Sequence, residues 1–178
     1  MANNYVFHSA RLGFRNWQAA DIPLMAAINA DPDVMEFFPS VNTYEQTAAF
    51  VARMQTLFAA KGYCYFAVDR LDTGEFIGFI GLADPTYEAH FTPCTDIGWR
   101  LAKTHWHHGF ATEGAQRCLQ YAFTTLHLSE IFAIAPKINL PSIHVMKKIG
   151  MQQQDNFMHP LLAHDERLRE CVLFRVKQ

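Results

Sequence analysis

Residues 96–116 read DIGWRLAKTHWHHGFATEGAQ, and this stretch is the strongest local signal of structure in the chain. It predicts a β-strand, a short loop and an amphipathic helix that begins at Gly109. The first N–H groups of an α-helix lack partners inside the helix, and the helix dipole makes this end positive. Because Gly109 and Ala111 are small, a diphosphate can approach the backbone closely here, although a glycine-led helix that serves only for packing is the alternative. The stretch contains neither the Gly-Lys-Ser/Thr of a Walker A loop nor the GxGxxG of a dinucleotide site.

The composition indicates one folded domain rather than a disordered or nucleic-acid-binding chain. The 178 residues are 50% hydrophobic and 18% charged, and the net charge at pH 7 is −2. Such a chain can build a hydrophobic core, and its charge does not favour wrapping a nucleic acid. We therefore expect a single domain over residues 1–178 with no nucleic-acid partner.

The apolar segments and the cysteines bear on location. No apolar run approaches the roughly 20 residues that span a bilayer, and the first residues lack the basic and apolar regions of a signal peptide. The four cysteines form no CxxC pair, which favours reduced and mostly buried thiols. We expect a cytoplasmic protein with no membrane partner.

The first half of the chain predicts a strand, two helices and a β-hairpin. Asp21 is a fair N-cap for the first helix, which should end before Pro32 because the residue preceding a proline avoids helical geometry. Thr43 stands three residues before Gln46, which is the spacing of a capping box. The predicted segments are a strand at 11–17, helices at 21–30 and 43–60, and hairpin strands at 63–71 and 76–82.

The second half of the chain alternates strands and helices. Apolar residues at helical spacing predict that the helix starting at Gly109 is the longest of the chain. Asn139 is a cap for a later helix, with Pro141 in its first turn and Gly150 after its end. The predicted segments are strands at 94–102, 131–135, 151–158 and 168–176 and helices at 109–127 and 139–150, which gives a mixed α/β domain.

Two motifs carry a resemblance to a known family. The segments WHHGFATEGAQRCLQYAF at 106–123 and NLPSIHVMKKIGM at 139–151 resemble the acetyl-CoA-binding core of the GNAT superfamily of N-acetyltransferases. The resemblance is closest to the RimJ/RimL-like branch, the ribosomal-protein-alanine acetyltransferases, and it extends over nearly the whole chain. It implies the GNAT fold, a central twisted mixed sheet of about seven strands flanked by about four helices.

The resemblance implies a set of residues that bind acetyl-CoA. The diphosphate loop is matched at residues 106–111, where Trp106 replaces the usual Arg or Gln and His108 stands where Lys or Arg is frequent. Backbone donors should do most of the phosphate binding, and a backbone N–H near Trp99 or Arg100 is expected to stabilise the oxyanion. The implied cofactor-binding residues are Trp99, Arg100 and Leu101, whose backbone would pair with the pantetheine arm, together with His107, His108, Gly109, Phe110, Ala111, Thr112 and Asn139.

The resemblance also implies two catalytic residues. Asp96 matches the acidic strand residue often proposed as general base, and Ser142 matches a serine that donates a hydrogen bond to the departing thiolate. Met146 stands where many family members carry a tyrosine that protonates the thiol. Because the reference pKa of aspartate is about 3.9, a water relay or electrostatic help is expected rather than direct proton removal. On their own, Asp96 can be a surface carboxylate and Ser142 a residue common in first helical turns.

Several loop residues are candidates for binding the acceptor. The adjacent aromatics near Pro39 match the segment that lines the acceptor site in GNAT enzymes, with a hydrophobic cap over the core as the alternative. The candidate substrate residues are Glu36, Phe37, Phe38, Tyr87 and Phe91, with His90 and His159 as weaker ones. The histidines His105, His107 and His108 lack the accompanying cysteine or carboxylate of a zinc site, so no metal is expected and a place near the phosphates is favoured.

The predicted activity is transfer of an acetyl group from acetyl-CoA to a primary amine by direct attack in a ternary complex. The acceptor would be the α-amine of a protein N-terminus or a small molecule, and a homodimer is possible. A protein of the same fold that binds acyl-CoA without turnover, as a sensor or interaction module, is the alternative, and Trp106 and Met146 both favour it. A drug-modifying enzyme would need an acidic acceptor cleft, which the near-neutral composition does not indicate.

Overall fold

A computed structural model describes residues 5–178. The predicted helices and strands follow one another there as expected, with one additional strand at Phe7–His8 and the strand predicted at 151–158 divided into two. The elements are β1 (Phe7–His8), β2 (Leu12–Arg15), α1 (Asp21–Asn29), α2 (Tyr44–Lys61), β3 (Tyr65–Arg70), β4 (Phe76–Ala83), β5 (Asp96–Leu101), α3 (Phe110–Thr124), β6 (Glu130–Pro136), α4 (Leu140–Lys148), β7 (Gln152–Gln153), β8 (Phe157–Met158) and β9 (Glu170–Lys177). The described chain thus has nine strands rather than about seven. Three of them, β1, β7 and β8, are only two residues long. None of its helices is long and apolar enough to cross a membrane.

The ends of the helices agree with the sequence at some positions and differ at others. The capping box of Thr43 and Gln46 is present, and Asn139 caps α4 by accepting a hydrogen bond from the backbone N–H of Ser142. The prediction that the helix after Gly109 is the longest is wrong, since α2 has 18 residues and α3 has 15.

The prediction that Asp21 caps α1 is also wrong. Ala20 is the N-cap residue and makes no side-chain cap bond. The Asp21 carboxylate instead accepts two hydrogen bonds from Arg15, at 2.7 and 2.8 Å, and Arg15 also binds Asp69. All three side chains are buried, so Asp21 joins an ion-pair network that a local sequence pattern does not reveal.

The strands form one mixed sheet in the order β1-β2-β3-β4-β5-β6-β9-β7, with β8 also paired to β9. All neighbouring strands are antiparallel except β5 and β6, which run parallel. Since α3 follows β5 and α4 follows β6, the parallel arrangement places the beginnings of both helices at the same edge of the sheet. This edge is where the candidate site lies.

The sheet has helices on both faces. On one face the ring of Phe50 from α2 lies 5.3 Å from that of Phe79 on β4. On the other face α3 packs so closely that a Cβ at Gly114 would lie 2.3 Å from Ile80 of β4. Side chains alternate along a strand, so Phe79 and Ile80 identify the α1–α2 face and the α3–α4 face respectively.

The parallel strands β5 and β6 form a single ladder pair and then separate. Their ladder in the described chain consists of Asp96 paired with Phe132, whose backbone N–H donates to Thr95 O at 3.0 Å. Beyond this pair, β5 continues to Leu101 and β6 continues to Pro136, but the two strands no longer pair with each other. The sheet therefore opens between the two strands toward the beginnings of α3 and α4. We call this gap the β5–β6 opening.

Candidate active site

The beginning of α3 has the free donors that an anion requires. Gly109 precedes the helix at φ 79 and provides no side-chain cap, and His107 two residues earlier also has a positive φ of 63. The backbone N–H groups of Phe110, Ala111 and Thr112 have no acceptor among residues 5–178. His107, His108 and Gly109 are exposed, so a diphosphate could reach these N–H groups from solvent.

The acidic side chain in the first turn of α3, Glu113, is held by hydrogen bonds from Ser9 and Arg11. Glu113 accepts hydrogen bonds from Ser9 Oγ at 2.7 Å and from the backbone N–H and Nε of Arg11 at 2.9 and 2.6 Å. These bonds hold the pKa of Glu113 below its usual value, although partial burial works against them. A Cβ at Gly109 would lie 3.6 Å from Arg11 Nη2, so Arg11 adds positive charge beside the helix start.

The loop before α3 is anchored by the residue that departs from the family pattern. Trp106 Nε1 donates a hydrogen bond to Leu101 O at 3.0 Å, which fixes the loop to the end of β5. His105 is buried with Nε2 3.3 Å from Glu75, so the expected place near the phosphates is wrong for this histidine. The side chain of Phe110 is also buried, under the guanidinium of Arg11, and only its backbone faces the site.

The backbone of β5 presents alternate residues to the β5–β6 opening. Ala102 N donates to Ile77 O, and Arg100 O lies against Gly78, so both groups face β4. Strand alternation then turns the backbone groups of Trp99 and Leu101 toward the opening. The expectation of backbone contacts with a pantetheine arm is corrected here: Arg100 cannot contribute its backbone, and the Leu101 carbonyl already accepts from Trp106.

The beginning of α4 contributes the other side of the opening. The Asn139 side-chain oxygen caps the helix, which leaves its amide group as a donor. Ser142 is half-buried in the first turn, and its hydroxyl has no hydrogen-bond partner in the described part of the chain. Met146, at the position where many relatives carry a tyrosine, is 2% exposed and belongs to the core. The hydroxyl of Ser142 is therefore an accessible hydrogen-bond donor in the first turn of α4.

Asp96 lies at the closed end of the opening, on the α1–α2 face. Its Oδ1 accepts a hydrogen bond of 2.6 Å from the hydroxyl of Tyr65 on β3. The pKa of Asp96 is raised to about 7, because burial and, to a smaller extent, the negative charge of Asp84 outweigh the opposing hydrogen bond from Tyr65. With a pKa of about 7, the Asp96 carboxylate is a stronger proton acceptor than the reference aspartate with its pKa of about 3.9.

Tyr65 is a residue that sequence reasoning missed. Tyr65 lies on β3, and its cross-strand neighbours are Gly81 on β4 and, one strand further, Gly98 on β5. A Cβ at Gly98 would lie 3.0 Å from the Tyr65 ring, so glycine at this position lets the ring cross the sheet to Asp96. The aligned glycines were the only signal, and they become meaningful only once the strand register is known.

The side chain of Arg100 points to the same face as Asp96. Its Nη1 donates to Asn29 Oδ1 at 2.6 Å, and its guanidinium lies 4.1 Å from the ring centroid of Phe38. Phe38 and the exposed Glu36 belong to the segment between α1 and α2, while Phe37 is half-buried. The structure thus brings one predicted substrate residue, Phe38, onto β5.

Two further predicted substrate residues, Tyr87 and Phe91, lie in a separate aromatic cluster. Tyr87 packs on His159 with ring centroids 4.3 Å apart, and Phe91 stacks on Phe132 of β6 at 5.9 Å. Burial, together with the negative charge of Asp96, raises the pKa of Tyr87. Phe91 lies against β6 through Phe132, the ladder partner of Asp96, and His90 is exposed beside it.

The described chain has free thiols but no cluster of metal-ligating side chains. Within residues 5–178, no three His, Cys, Asp or Glu side chains come together in a way that could hold a metal ion. Cys64, Cys118 and Cys171 are buried free thiols, and Cys94 is half-buried. Burial raises the pKa of Cys94 to about 12 and that of Cys171 to about 12, which makes them poor nucleophiles.

Comparisons with known proteins agree with this geometry. Residues 11–152 match the family model described as an acetyltransferase (GNAT) domain. The uncharacterized N-acetyltransferase YnaD of Bacillus subtilis is 31% identical over 145 residues, which are 81% of this chain and 78% of YnaD. The crystal structure of a GNAT-family acetyltransferase from Bacillus anthracis has a TM-score of 0.78 at 26% identity and covers 96% of both chains. RimL, a ribosomal L7/L12 alpha-N-protein acetyltransferase in complex with coenzyme A, has a TM-score of 0.73 over 95% of both chains, and its 15% identity shows the fold alone.

Proposed function

The chain belongs to the GNAT acetyltransferase family, and we propose that it moves the acetyl group of acetyl-CoA to a primary amine by direct attack in a ternary complex. The observation that carries this proposal is the set of free N–H groups on Phe110, Ala111 and Thr112 beside the β5–β6 opening. Free donors at a helix start fit the diphosphate of acetyl-CoA, and the opening offers backbone groups to its pantetheine arm. Acetyl-CoA is the donor substrate that the family uses.

The residues around the opening divide the chemistry among them. Asp96, with a pKa of about 7, accepts a proton from the attacking amine, directly or through water. The Trp99 N–H, which faces the opening, is placed to stabilise the developing oxyanion. Ser142 donates a hydrogen bond to the departing thiolate from the first turn of α4.

The acceptor that suits this site is an amine of low pKa. The α-amine of a protein N-terminus has a pKa of about 7.7–8.0, whereas that of lysine is about 10.4. Deprotonation at pH 7 therefore costs roughly 1 kcal/mol for an α-amine and roughly 4–5 kcal/mol for lysine, at about 1.36 kcal/mol per pH unit. A single carboxylate base supports an N-terminal α-amine, or a small molecule with a similarly weak base, as the acceptor.

Further expectations from the sequence belong to the same proposal. The motifs at 106–123 and 139–151 support the RimJ/RimL-like branch. The four free cysteines support a reducing compartment, and hence the cytoplasm. The outer strands β1 and β7 leave sheet edges through which two copies could pair as a homodimer.

A non-catalytic acyl-CoA-binding protein is the second candidate. It is favoured by one specific observation: Met146, where many relatives carry the thiol-protonating tyrosine, is a core residue. The free hydroxyl of Ser142 favours catalysis instead. It lies one helical turn before Met146 on α4, and it can donate the hydrogen bond that a methionine cannot.

An assay of thiol release separates the two candidates. The protein is incubated with acetyl-CoA and a panel of N-terminal peptides and small primary amines, and free coenzyme A is measured together with calorimetric binding of coenzyme A. Steady thiol release that depends on an amine supports the transferase. Binding without release from any amine supports the sensor, and absence of binding heat contradicts both.

A further inference from the structure

Arg100 carries a positive charge that the described protein does not neutralise. No carboxylate of residues 5–178 lies within ion-pair distance of its guanidinium, in contrast to Arg15, which binds two. Its Nε is fully buried and has no hydrogen-bond partner in the described structure. Burial lowers the pKa of Arg100 to about 10, the direction expected for a cation that has lost water without gaining an anion.

The guanidinium is nevertheless held in a defined position. Phe38 lies 4.1 Å and Phe79 5.4 Å from its Cζ, so aromatic rings contact it from the loop and from the sheet. Asn29 accepts the hydrogen bond from Nη1 and donates one to Thr47 Oγ1 at 2.9 Å. Thr47 in turn donates to Thr43 O at 3.0 Å, at the beginning of α2. A fixed cation with free donors is suited to bind an anion, because little side-chain freedom is lost on binding.

Arg100 and Asp96 lie along the same face of one strand. Arg100 is four residues beyond Asp96 on β5, which corresponds to about 13 Å along the strand. Its guanidinium lies against the ring of Phe38, a residue of the segment between α1 and α2. An acceptor whose amine is at Asp96 would therefore extend along β5 toward the guanidinium.

We propose that Arg100 selects the acceptor by binding a carboxylate that this molecule carries in addition to its reactive amine. The substrate class is then a short peptide or N-terminal segment with an acidic group several bonds from the amine, rather than a polyamine. A polyamine would place a second positive charge beside a cation that already lacks a partner. This inference rests on the proposed acetyl transfer, and it concerns the other end of the acceptor.

Matched pairs of acceptors test the inference in the complete protein. Trialanine with a free C-terminal carboxylate is compared with its C-terminal carboxamide, and Ala-Asp-Ala amide with Ala-Asn-Ala amide, by thiol release from acetyl-CoA. In the wild type, kcat/KM for the carboxylate member of at least one pair should exceed that for its neutral partner by at least about tenfold.

Substitutions at residue 100 should change this preference in a graded way. Arg100→Gln brings the ratio close to one, Arg100→Lys keeps an intermediate ratio, and Arg100→Glu reverses it in favour of the neutral member. Arg175→Gln is the matched control, because Arg175 lies on β9 with a 36% exposed side chain, 3.7 Å from Glu130, and should keep the wild-type ratio. Should Arg100→Gln not fold, the wild-type comparison still decides.

The outcomes distinguish this inference from the proposed function. Equal kcat/KM values within both pairs, with clear thiol release, overturn the role of Arg100 and leave acetyl transfer intact. A wild-type ratio that persists in Arg100→Gln also overturns it. Thiol release from no amine at all contradicts the proposed function, and the inference falls with it.

Discussion

The hydroxyl of Tyr65 donates a 2.6 Å hydrogen bond to Oδ1 of Asp96, although β3 and β5 are separated in the sheet by β4. The ring reaches across β4 to Gly98 on β5, where a Cβ would lie only 3.0 Å from it, so glycine at this position leaves room for the ring. The bond stabilises the ionised carboxylate, while burial of Asp96 favours the protonated one. The balance sets a pKa of about 7 for the group proposed as base.

The pH dependence of activity should respond to both residues of this pair. Tyr65→Phe removes a bond that stabilises the charged form, so the pKa of Asp96 should rise by about 0.5–1 unit. The rising limb of the plot of kcat/KM against pH then shifts to higher pH. Asp96→Asn should remove this limb and lower activity by about 100-fold or more. Profiles of both variants identical to the wild type would show that Asp96 has no part in proton transfer.

The stability of the protein should depend on pH through the same group. The pKa of Asp96 is about 7 in the folded chain and about 3.9 when unfolded, so the folded state binds the proton more tightly. The resulting stabilisation is present below about pH 4 and is lost as pH rises through 7. Asp96→Asn should flatten this part of the stability curve, measured by urea unfolding at several pH values.

Ser142→Ala should reduce turnover without changing the fold. The cap of α4 uses the backbone N–H of Ser142, which alanine retains, and the hydroxyl has no partner in residues 5–178. Loss of the hydrogen bond to the thiolate is expected to lower kcat about tenfold or more, with coenzyme A affinity nearly intact. Asn139→Ala is the contrasting variant, because it removes the cap and should cost about 1 kcal/mol of stability. Unchanged kcat in Ser142→Ala would exclude the serine from the mechanism.

Gly109→Ala should weaken coenzyme A binding specifically. Both Gly109, at φ 79, and Gly74, at φ 70, adopt backbone conformations that cost an alanine about 1–2 kcal/mol. Gly74 lies in the turn between β3 and β4 with open space around it, so Gly74→Ala controls for the loss of stability. We expect calorimetry to show an at least fivefold higher Kd for Gly109→Ala alone, since relaxation of the strain turns the N–H groups of α3 away. Equal Kd values for both variants would place the diphosphate elsewhere.

Arg15→Met should be among the most destabilising substitutions. It leaves the buried carboxylates of Asp21 and Asp69 without their shared guanidinium, which should lower the free energy of unfolding by about 3–5 kcal/mol. Arg175→Gln removes a partly exposed ion pair and should change it by no more than about 1 kcal/mol. Similar urea midpoints for the two variants would contradict a stabilising role for the buried network.

Much of the fold could be predicted from local signals. The capping box of Thr43 and Gln46, the cap at Asn139 and the glycine before α3 are all formed by residues within a few positions of one another. The two-residue strand β1 is absent from the sequence-based prediction, and the strand predicted at 151–158 is divided into β7 and β8, because these short strands exist only through pairing with β2 or β9. The ion pair that replaces the expected cap at Asp21 depends likewise on β2 and β3.

The sequence by itself determined the order of elements and the helix start at Gly109, since caps, turns and periodicity act over a few residues. Only the tertiary structure decided which side chains meet on β5. Burial raises the pKa of Asp96 against the hydrogen bond from Tyr65, and Asn29 and Phe38 hold the guanidinium of Arg100 in place. These three residues lie 31 to 71 positions away along the chain from the residue that each contacts. Desolvation and strand register arise only when the sheet is assembled, and these two effects give the candidate site its chemistry.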